Sequence, residues 1–409
     1  MKPVNTTEKK HRPGSQQALR ERNAQKILKT LATVGPQTQS YLAKATGLSG
    51  GTVSNIVRRL SAEGLITANP ATIGGRRATQ VKLRPTGQYL LGIDIGRTHL
   101  SMALADSARN IRVNHASRLP NLHTPQNTLL TVSKILGGIL AEAGATHADI
   151  SECVIAVPAS IRPSDFSIVQ DTIFRTWAGR DLRALAEHYL QLPVRLENDA
   201  NIGALAQVTF GEFQDARNVL YVKNASGIGL GIVQNPVTDE DRLYSDSPRI
   251  YSSSTGLTGE IGHTQHSDTG EICYCGNRGC LETVASLGSI VANLNRIRPD
   301  EHYDTDAVIK AASENDIVVM RMLSDAGTAL GKALADHINI LAPDVVVLGG
   351  PLCVLGDLFL DLVVPSTRQR LLPAVASTVK FATTSMGNET EVYGCVALAA
   401  QLMWNAPVL

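Results

Sequence analysis

The feature that most constrains the fold of this chain of 409 residues is a group of three cysteines that lie within eight residues of one another. Cys273, Cys275 and Cys280 follow His263 along the chain. One imidazole and three thiolates form a tetrahedral donor set that suits zinc and leaves no coordination position open. The spacing therefore predicts a structural zinc site, with three unrelated buried thiols as the alternative.

The length and composition predict a globular protein of two or three domains, because 409 residues exceed what one core usually organises. Hydrophobic residues make up 43% of the chain, and no apolar run approaches the length of a membrane span. The basic N-terminus has no apolar stretch behind it, so no secretory signal is expected. We therefore expect a cytoplasmic protein without a membrane partner, where a reducing environment favours bound metal over disulfides.

The charge is divided unevenly along the chain. Residues 1–84 contain 15 of the 38 lysines and arginines but three of the 37 acids, so their net charge is +12 and that of the other 325 residues is −11. A basic head on an acidic body predicts a nucleic-acid-binding module attached to a domain with another task. A solvated basic tail, which we expect at residues 1–16, explains Lys9 to Arg12 but not the bases that continue to Arg84.

Three helices are predicted within the basic head. Residues 17–31 have the spacing of an amphipathic helix, a short helix at 38–48 ends at Gly47, and Ser49 caps a third helix at 51–63. A short helix, a glycine-containing turn and a helix with a polar outer face form the helix-turn-helix pattern. An ordinary helical hairpin is the alternative, but the outer face offers hydroxyl, amide and guanidinium groups that reach bases and phosphates.

A β-hairpin wing is predicted at residues 67–84, with Arg76 and Arg77 at its tip behind two glycines. Such an arm can enter a narrow minor groove, where A·T-rich DNA concentrates negative potential. Residues 17–84 are therefore predicted to form a winged helix-turn-helix with its linker. The predicted DNA contacts are polar side chains of the third helix and the wing: Ser49, Thr52, Ser54, Asn55, Arg58, Arg59, Arg76 and Arg77.

From Tyr89 onward, apolar strands end in glycine-containing turns, at residues 90–98, 226–231 and 344–350. An aspartate beside a glycine at such a turn can hold a magnesium-bound water while backbone amides approach a phosphate. Strand-turn-strand units interleaved with helices predict two α/β lobes around a cleft. The candidate nucleotide-site residues lie in the first two turns: Asp94, Gly96, Thr98, Gly227 and Gly229.

The segment from Gly259 to His263, followed by the run from Cys273 to Glu282, resembles the signature of the ROK family (repressors, open reading frames, kinases). The whole chain is similar to the regulators of that family that carry an N-terminal helix-turn-helix. The resemblance implies a two-lobed actin-like, sugar-kinase-like fold over residues 89–409, with the zinc motif at 260–282. It implies four zinc ligands, His263, Cys273, Cys275 and Cys280, and five sugar-binding residues, Asn198, Asp199, Glu260, His263 and Glu282.

In the kinases of the family, the aspartate that matches Asp199 is the general base that deprotonates the attacking hydroxyl. Without the resemblance, Asn198 and Asp199 fit a strand-end turn equally well, because both residue types favour turns. Carboxylates, an amide and an imidazole supply the acceptors and donors that vicinal sugar hydroxyls require.

Three positions depart from the pattern of the kinases. Arg97 stands in place of the second glycine of the first phosphate turn, and Ala225 replaces a glycine of the second turn. Ala159 follows Val157-Pro158, where the family has glycine. A side chain at Arg97 is expected to block the close approach of a phosphate. The nucleotide site is therefore predicted to be vestigial and no residue catalytic, with Asp199 as the base only if kinase activity persists.

We accordingly expect a sugar-responsive DNA-binding regulator that represses carbohydrate uptake or catabolism genes. The alternative is an ATP-dependent sugar kinase, either alone or bifunctional with DNA binding. The expected partners are a palindromic operator, a homodimeric or homotetrameric partner subunit, and a monosaccharide such as glucose, N-acetylglucosamine or xylose. The direction of the effector response stays open. Loops near residues 160–175 and 250–258 are expected to choose the sugar.

Overall fold

The computed structural model describes residues 16–73, 76–170, 177, 180–237 and 247–405. The expected basic tail lies outside the described residues except for Gln16, and so do the two glycines at the tip of the wing. Among the helices in these ranges, none combines the length and the apolar character that crossing a membrane requires.

The head consists of three helices and a three-stranded sheet with the strand order β1-β3-β2. Its apolar core is formed by the inward faces of all three helices and by both long strands. The elements are α1 (Gln16–Val34), β1 (Gln37–Thr38), α2 (Gln39–Thr46), α3 (Gly50–Ala62), β2 (Ile66–Ile73) and β3 (Arg76–Leu83).

Capping interactions fix the helix-turn-helix. Gly47 ends α2 with φ 66°, a left-handed conformation that glycine adopts without strain. The Ser49 hydroxyl accepts a hydrogen bond from the Thr52 amide at 3.2 Å and so begins α3. The predicted helix-turn-helix is thus confirmed. The first helix runs three residues further than expected, because its last turn is buried, as the 2% exposure of Leu31 illustrates.

The first lobe is built on a five-stranded sheet with the order β10-β7-β4-β5-β6. β4, β5 and β6 form an antiparallel meander, whereas β7 pairs with β4 and β10 pairs with β7, both in parallel. The elements are β4 (Tyr89–Ile95), β5 (His99–Asp106), β6 (Ile111–Arg118), α4 (Pro125–Ala143), β7 (Ile150–Val157), β8 (Ser160–Ile161), β9 (Ile168–Gln170), α5 (Leu182–Leu190) and β10 (Val194–Asn198).

The second lobe repeats this plan with a five-stranded sheet in the order β13-β12-β11-β14-β15. Its first three strands are again antiparallel and its last two are parallel additions. The elements from the start of this half are α6 (Asp199–Thr209), β11 (Asn218–Asn224), β12 (Ile228–Gln234), β13 (Arg249–Ile250), α7 (Glu282–Ala285), α8 (Leu287–Ile297), α9 (Thr305–Ser313), α10 (Ile317–Leu341), β14 (Val345–Gly349), α11 (Asp357–Arg368), α12 (Pro373–Ala376), β15 (Lys380–Thr383) and α13 (Thr390–Asn405).

Two helices, α6 and α13, lie between the two sheets and share one apolar core with both of them. The approach is close: a Cβ atom at Gly231 of β12 would lie 2.0 Å from the carbonyl oxygen of Ala200 in α6. Glycine is therefore required there by packing. The prediction of two α/β lobes is confirmed, and the cleft between them opens at the start of α6.

The head contacts the body through α1 and α13, which pack against each other. Trp404, near the end of α13, packs on the core of the head and donates its indole N–H to the carbonyl of Ser107 at 3.2 Å. The buried guanidinium of Arg109 donates to the carbonyl of Thr33 in α1 at 2.8 Å. The last helix of the body, α13, therefore forms part of the surface that contacts the head.

Candidate functional site

The cleft between the lobes has a volume of about 650 Å³, including its open mouth. It is bounded by the ends of β7 and β10, the start of α6, the turn between β11 and β12, and the loop before the cysteine cluster. All five residues that the sequence predicts as sugar-binding line it: Asn198, Asp199, Glu260, His263 and Glu282.

Asn198 and Asp199 stand at the junction of β10 and α6. The Asn198 side chain caps α6 by accepting from the Asn201 amide at 3.1 Å, and it donates to the carbonyl of Ala159 at 3.2 Å. The turn function that its residue type favours is therefore present in Asn198, beside its place on the wall of the cleft. Asp199 is the first residue of α6 and is 6% exposed.

Asp199 forms a buried ion pair that the sequence did not predict. Its Oδ2 lies 2.9 Å from Nζ of Lys223 in β11, and the same ammonium lies 3.3 Å from Oε1 of Glu391 in α13. Burial lowers the pKa of Lys223, but the two carboxylates outweigh burial and raise that pKa above its ordinary value. The ammonium is therefore charged. A lysine near the end of an otherwise apolar strand was the signal that could have identified it.

The first glycine turn is covered by a side chain. Asp94 is completely buried, and its Oδ2 lies 2.8 Å from Nε2 of His99. Burial raises the pKa of Asp94, but Lys223 and His99 together bring it below its ordinary value. The imidazole lies against Gly96, where a Cβ atom would be 1.9 Å from the ring carbon Cε1.

The expected obstruction by Arg97 is corrected by this arrangement. The Arg97 guanidinium turns away to Asn121, with Nε 3.4 Å from Oδ1, and the imidazole of His99 covers the turn instead. An imidazole on a short side chain can reach back across the tight turn to Asp94, and the buried carboxylate attracts it.

The five predicted nucleotide-site residues differ in their exposure to the cleft. Gly227 and Gly229 line the cleft, although Gly229 also packs against α6, where an added Cβ would lie 3.0 Å from that of Ala200. Asp94 and Gly96 are buried beneath His99, and Thr98 is exposed. In this arrangement His99 covers the first glycine turn, whereas the second glycine turn lines the cleft.

The sulfur and imidazole atoms of His263, Cys273, Cys275 and Cys280 all lie within 4.8 Å of one another. Nδ1 of His263 is 3.6 Å from Sγ of Cys273, and the sulfurs of Cys275 and Cys280 are also 3.6 Å apart. Tetrahedral zinc with bonds of about 2.0–2.3 Å requires ligand atoms about 3.5–3.8 Å apart, so the donor set fits that ion. Gly279 helps to close the loop, with φ 68°.

His263 connects the cysteine cluster to the cleft. Its Nδ1 faces the thiols, whereas its Nε2 lies 3.8 Å from Oε2 of Glu260 on the cleft wall. Glu260 also accepts a hydrogen bond from Ser160, a wall residue at the start of the segment 160–175 that is expected to choose the sugar. Glu282 lies 3.5 Å from His263 and accepts from the Cys273 thiol at 3.0 Å. A metal bound by Nδ1 of His263 would therefore leave the Nε2–H of the imidazole directed at one carboxylate of the cleft, that of Glu260.

On α3 the predicted DNA-contacting residues form a polar outer face, with Ser49, Asn55 and Arg58 exposed and Thr52 and Ser54 half-buried. Arg77 of the wing is exposed, and the side chain of Arg76 lies outside the described residues.

Arg59 departs from this face. Its guanidinium lies 3.0 Å from Glu21 of α1 and 3.7 Å from Glu63, so it joins two helices of the head. We therefore remove it from the set of candidate DNA contacts, since its charge is already paired within the head.

Comparison with known sequences identifies both parts of the chain. The profile of the ROK family matches residues 90–402, and the profile of the MarR family matches residues 26–77. A putative xylose repressor from Caldicellulosiruptor sp. strain Rt8B.4 is 27% identical, over 96% of this chain and 99% of the relative. An N-acetylglucosamine repressor from Escherichia coli O6:H1 is 25% identical, over 97% of this chain and 96% of the relative.

Solved structures share the fold. A ROK family transcriptional regulator, described as a homologue of the E. coli MLC protein, superposes with a TM-score of 0.70 at 23% identity, over 94% of this chain and 97% of its own. A ROK family glucokinase from Streptomyces griseus superposes with a TM-score of 0.64 at 21% identity, over 76% of this chain and 98% of its own. The predicted fold class is confirmed. Because the ROK profile spans most of its length, the chain belongs to the ROK family.

Proposed function

We propose that this chain is a transcriptional repressor of carbohydrate uptake or catabolism genes, and that a monosaccharide changes its affinity for operator DNA. The observation that carries the proposal is the pairing, in one chain, of a polar cleft with a head of net charge +12. In this assignment residues 17–84 bind DNA and residues 89–409 sense the sugar. The names of the xylose and N-acetylglucosamine repressors support a monosaccharide effector, with glucose as a further candidate.

The sugar is assigned to the cleft wall that holds Asn198, Asp199, Glu260, His263 and Glu282. Carboxylate oxygens accept hydrogen bonds from vicinal hydroxyls, and the imidazole and amide complete the set of donors and acceptors. Since hydrogen bonds to charged groups are stronger than neutral ones, the three carboxylates should dominate the affinity.

We assign the four-ligand cluster to one structural zinc per chain. The ion would hold the loop from residue 259 to residue 282 in place and fix the orientation of His263. The four protein ligands would complete its coordination, which supports a structural assignment over a catalytic one. The sugar site and the metal site would then be lost together.

For DNA binding, α3 is assigned to the major groove through Ser49, Thr52, Ser54, Asn55 and Arg58, and the wing through Arg76 and Arg77. Two such helices must be about 34 Å apart to meet successive major grooves. The active species is therefore proposed to be a homodimer or homotetramer on a palindromic operator, with A·T-rich sequence where the wing enters the minor groove.

Coupling between the two sites is assigned to α13. Glu391 in its first turn lies 3.3 Å from Lys223 at the floor of the cleft, and Trp404 in its last turn packs on the head. A sugar that favours one arrangement of the lobes would move this helix and change the spacing of the two heads. By linkage, operator DNA must then change sugar affinity by the same factor.

The same cleft is proposed not to transfer phosphate. In the alternative reading, a sugar kinase, Asp199 would act as the base and Asp94 would hold a magnesium-bound water. Both aspartates are already engaged, Asp199 with Lys223 and Asp94 with His99. The fold shared with a glucokinase is compatible with either reading and does not favour the kinase.

The proposal is tested by selecting operator sites from a random DNA pool with the full-length protein, and by titrating monosaccharides into the selected complex. Fluorescence anisotropy should show that one sugar shifts operator affinity while related sugars do not. The truncated chain without residues 1–84 should still bind that sugar. A protein that selects no DNA sequence, or a selected complex that no monosaccharide alters, would contradict the proposal.

A further inference from the structure

The strongest feature that the proposed function leaves unexplained is the buried lysine at the floor of the cleft. We propose that Lys223 is a built-in counter-cation that positions Asp199 for the sugar and makes effector binding independent of divalent metal and nucleotide. This inference rests on the proposed sugar site and concerns its positioning residue.

The geometry of the site supports this role. Lys223 Nζ is surrounded by Asp199 at 2.9 Å and Glu391 at 3.3 Å, and the exposed fractions of the three side chains are 7%, 9% and 6% respectively. The phenol of Tyr221 donates to the same Glu391 oxygen at 2.8 Å and fixes that carboxylate. The ammonium is therefore held between an acid of α6 and an acid of α13.

Two buried carboxylates next to each other repel, and each is costly to desolvate without a counter-charge. A divalent cation with oxygen ligands is one solution to such a cluster. Here the chain supplies the positive charge itself, from Lys223 near the end of β11. Asp94 adds a third acid to this field, since Lys223 also lowers its pKa.

The consequence for Asp199 is a fixed orientation. Its Oδ2 faces the ammonium and its Oδ1 accepts from the Ala200 amide at 2.8 Å, so the carboxylate does not depend on any ligand for its position. A carboxylate has further lone pairs with which to accept a sugar hydroxyl. A preorganised acceptor binds without the cost of ordering it, and no metal or nucleotide has to arrive first.

The inference is tested by isothermal titration of the full-length protein with the sugar that alters operator binding. Titrations are made in chelator, with Mg²⁺ alone, and with Mg²⁺ and a non-hydrolysable ATP analogue. Lys223→Met removes the charge and keeps an unbranched side chain, and Lys223→Arg keeps the charge as the matched control.

We expect wild-type affinity to stay within about twofold in all three conditions, because the site already contains its cation. Lys223→Met should lose about tenfold or more in chelator, the scale of a charge-assisted interaction, and Mg²⁺ should restore part of that loss. Lys223→Arg should bind closer to wild type. Rescue by Mg²⁺ is the result that a merely structural lysine would not give.

Three results would overturn the inference: wild-type affinity that tightens about tenfold with Mg²⁺ and the ATP analogue, Lys223→Met that binds sugar like wild type in chelator, or a loss in Lys223→Met that Mg²⁺ does not reduce. If Lys223→Met fails to fold by circular dichroism, the wild-type titrations decide alone. A wild-type protein that binds no sugar, and whose operator binding no sugar changes, would refute the proposed function and this inference with it. A wild-type protein that responds to a sugar but gives one of the three results above would refute this inference alone.

Discussion

The wall that holds Glu260 and Glu282 and the first glycine turn, which holds Asp94, differ in whether their carboxylates are open to the cleft. On the side proposed to bind the sugar, Glu260 and Glu282 lie on the open wall, and the segment between them contains the four residues of the candidate metal cluster. At the first glycine turn, by contrast, the buried carboxylate of Asp94 is already paired with His99 of the same chain. The groups proposed to recognise the sugar differ from those of the first glycine turn, so a chain can keep sugar recognition while its own side chain covers that turn.

The most severe way to break the wall proposed to bind the sugar is to remove a metal ligand. Cys280→Ser should release the metal, lower the thermal midpoint and abolish the sugar response together, because the cleft residues share His263 with the cluster. Metal content by elemental analysis, thermal unfolding and operator titration measure the three effects.

Cys153→Ser is the matched control for this change, since Cys153 is a buried cysteine of β7 outside the cluster. It should keep the metal. Full metal content in Cys280→Ser, or wild-type protein purified without chelator that contains no zinc, would contradict the assignment.

A pair of isosteric changes separates the wall proposed to bind the sugar from the first glycine turn directly. Asp199→Asn should remove a charge-assisted hydrogen bond of about 1.5–3 kcal/mol and weaken effector affinity by roughly ten- to a hundredfold, with operator binding retained. Asp94→Asn, on the covered side, should leave effector affinity within about twofold. Titration calorimetry measures both, and equal losses in the two variants would show that the wall and the turn are not separate.

Two adjacent arginines of the head show the same contrast, since Arg58 is exposed and Arg59 is paired with acids. Arg58→Ala should cost about 1–3 kcal/mol in operator binding and less on random DNA if Arg58 reads a base. Arg59→Ala should leave that discrimination intact and lower the stability of the head by about 0.2–1 kcal/mol, since it loses its pairs with Glu21 and Glu63. Anisotropy over a range of salt concentrations distinguishes the two.

The smallest expected effect is a pH dependence from the covered turn. Burial lowers the pKa of His99, but Asp94 outweighs burial and raises that pKa above its ordinary value. The stabilisation by the His99–Asp94 pair is therefore complete below about pH 6.5 and is lost as the pH rises through the raised pKa. His99→Gln should remove this decline in the free energy of unfolding, which we expect to be below about 1 kcal/mol because the ring is half-exposed. The control is His147→Gln, because His147 is exposed. Denaturant titrations at several pH values should show that the free energy of unfolding of this control declines with pH as in the wild type.

Features that depend on neighbouring residues in the chain could be predicted from the sequence. The helix-turn-helix follows from helical spacing, the cap at Ser49 and the left-handed stop at Gly47. The metal cluster follows from three cysteines and two glycines in one short loop. In each case the residues that determine the feature are close together in the sequence, so their spacing is enough to predict it.

Features that depend on which elements pack together were missed or misjudged. Lys223, Asp199 and Glu391 lie on β11, α6 and α13, and no local pattern indicates that the three meet. Arg59 has the same residue type and helix as Arg58, and the position of α1 determines that its guanidinium is paired. In these cases the tertiary packing of charges, rather than residue type, assigns the role.

Regulation and catalysis are distinguished in a single experiment that follows operator binding and sugar phosphorylation in the same reaction. Wild-type protein, its selected operator, the effector sugar and Mg-ATP are combined, and anisotropy is recorded while ADP release and sugar phosphate are assayed. We predict that the sugar alters operator binding equally with and without ATP, and that no sugar phosphate forms above background. Sugar phosphate formed at an ordinary enzymatic rate, and abolished in Asp199→Asn, would show instead that this chain is a kinase with a DNA-binding head.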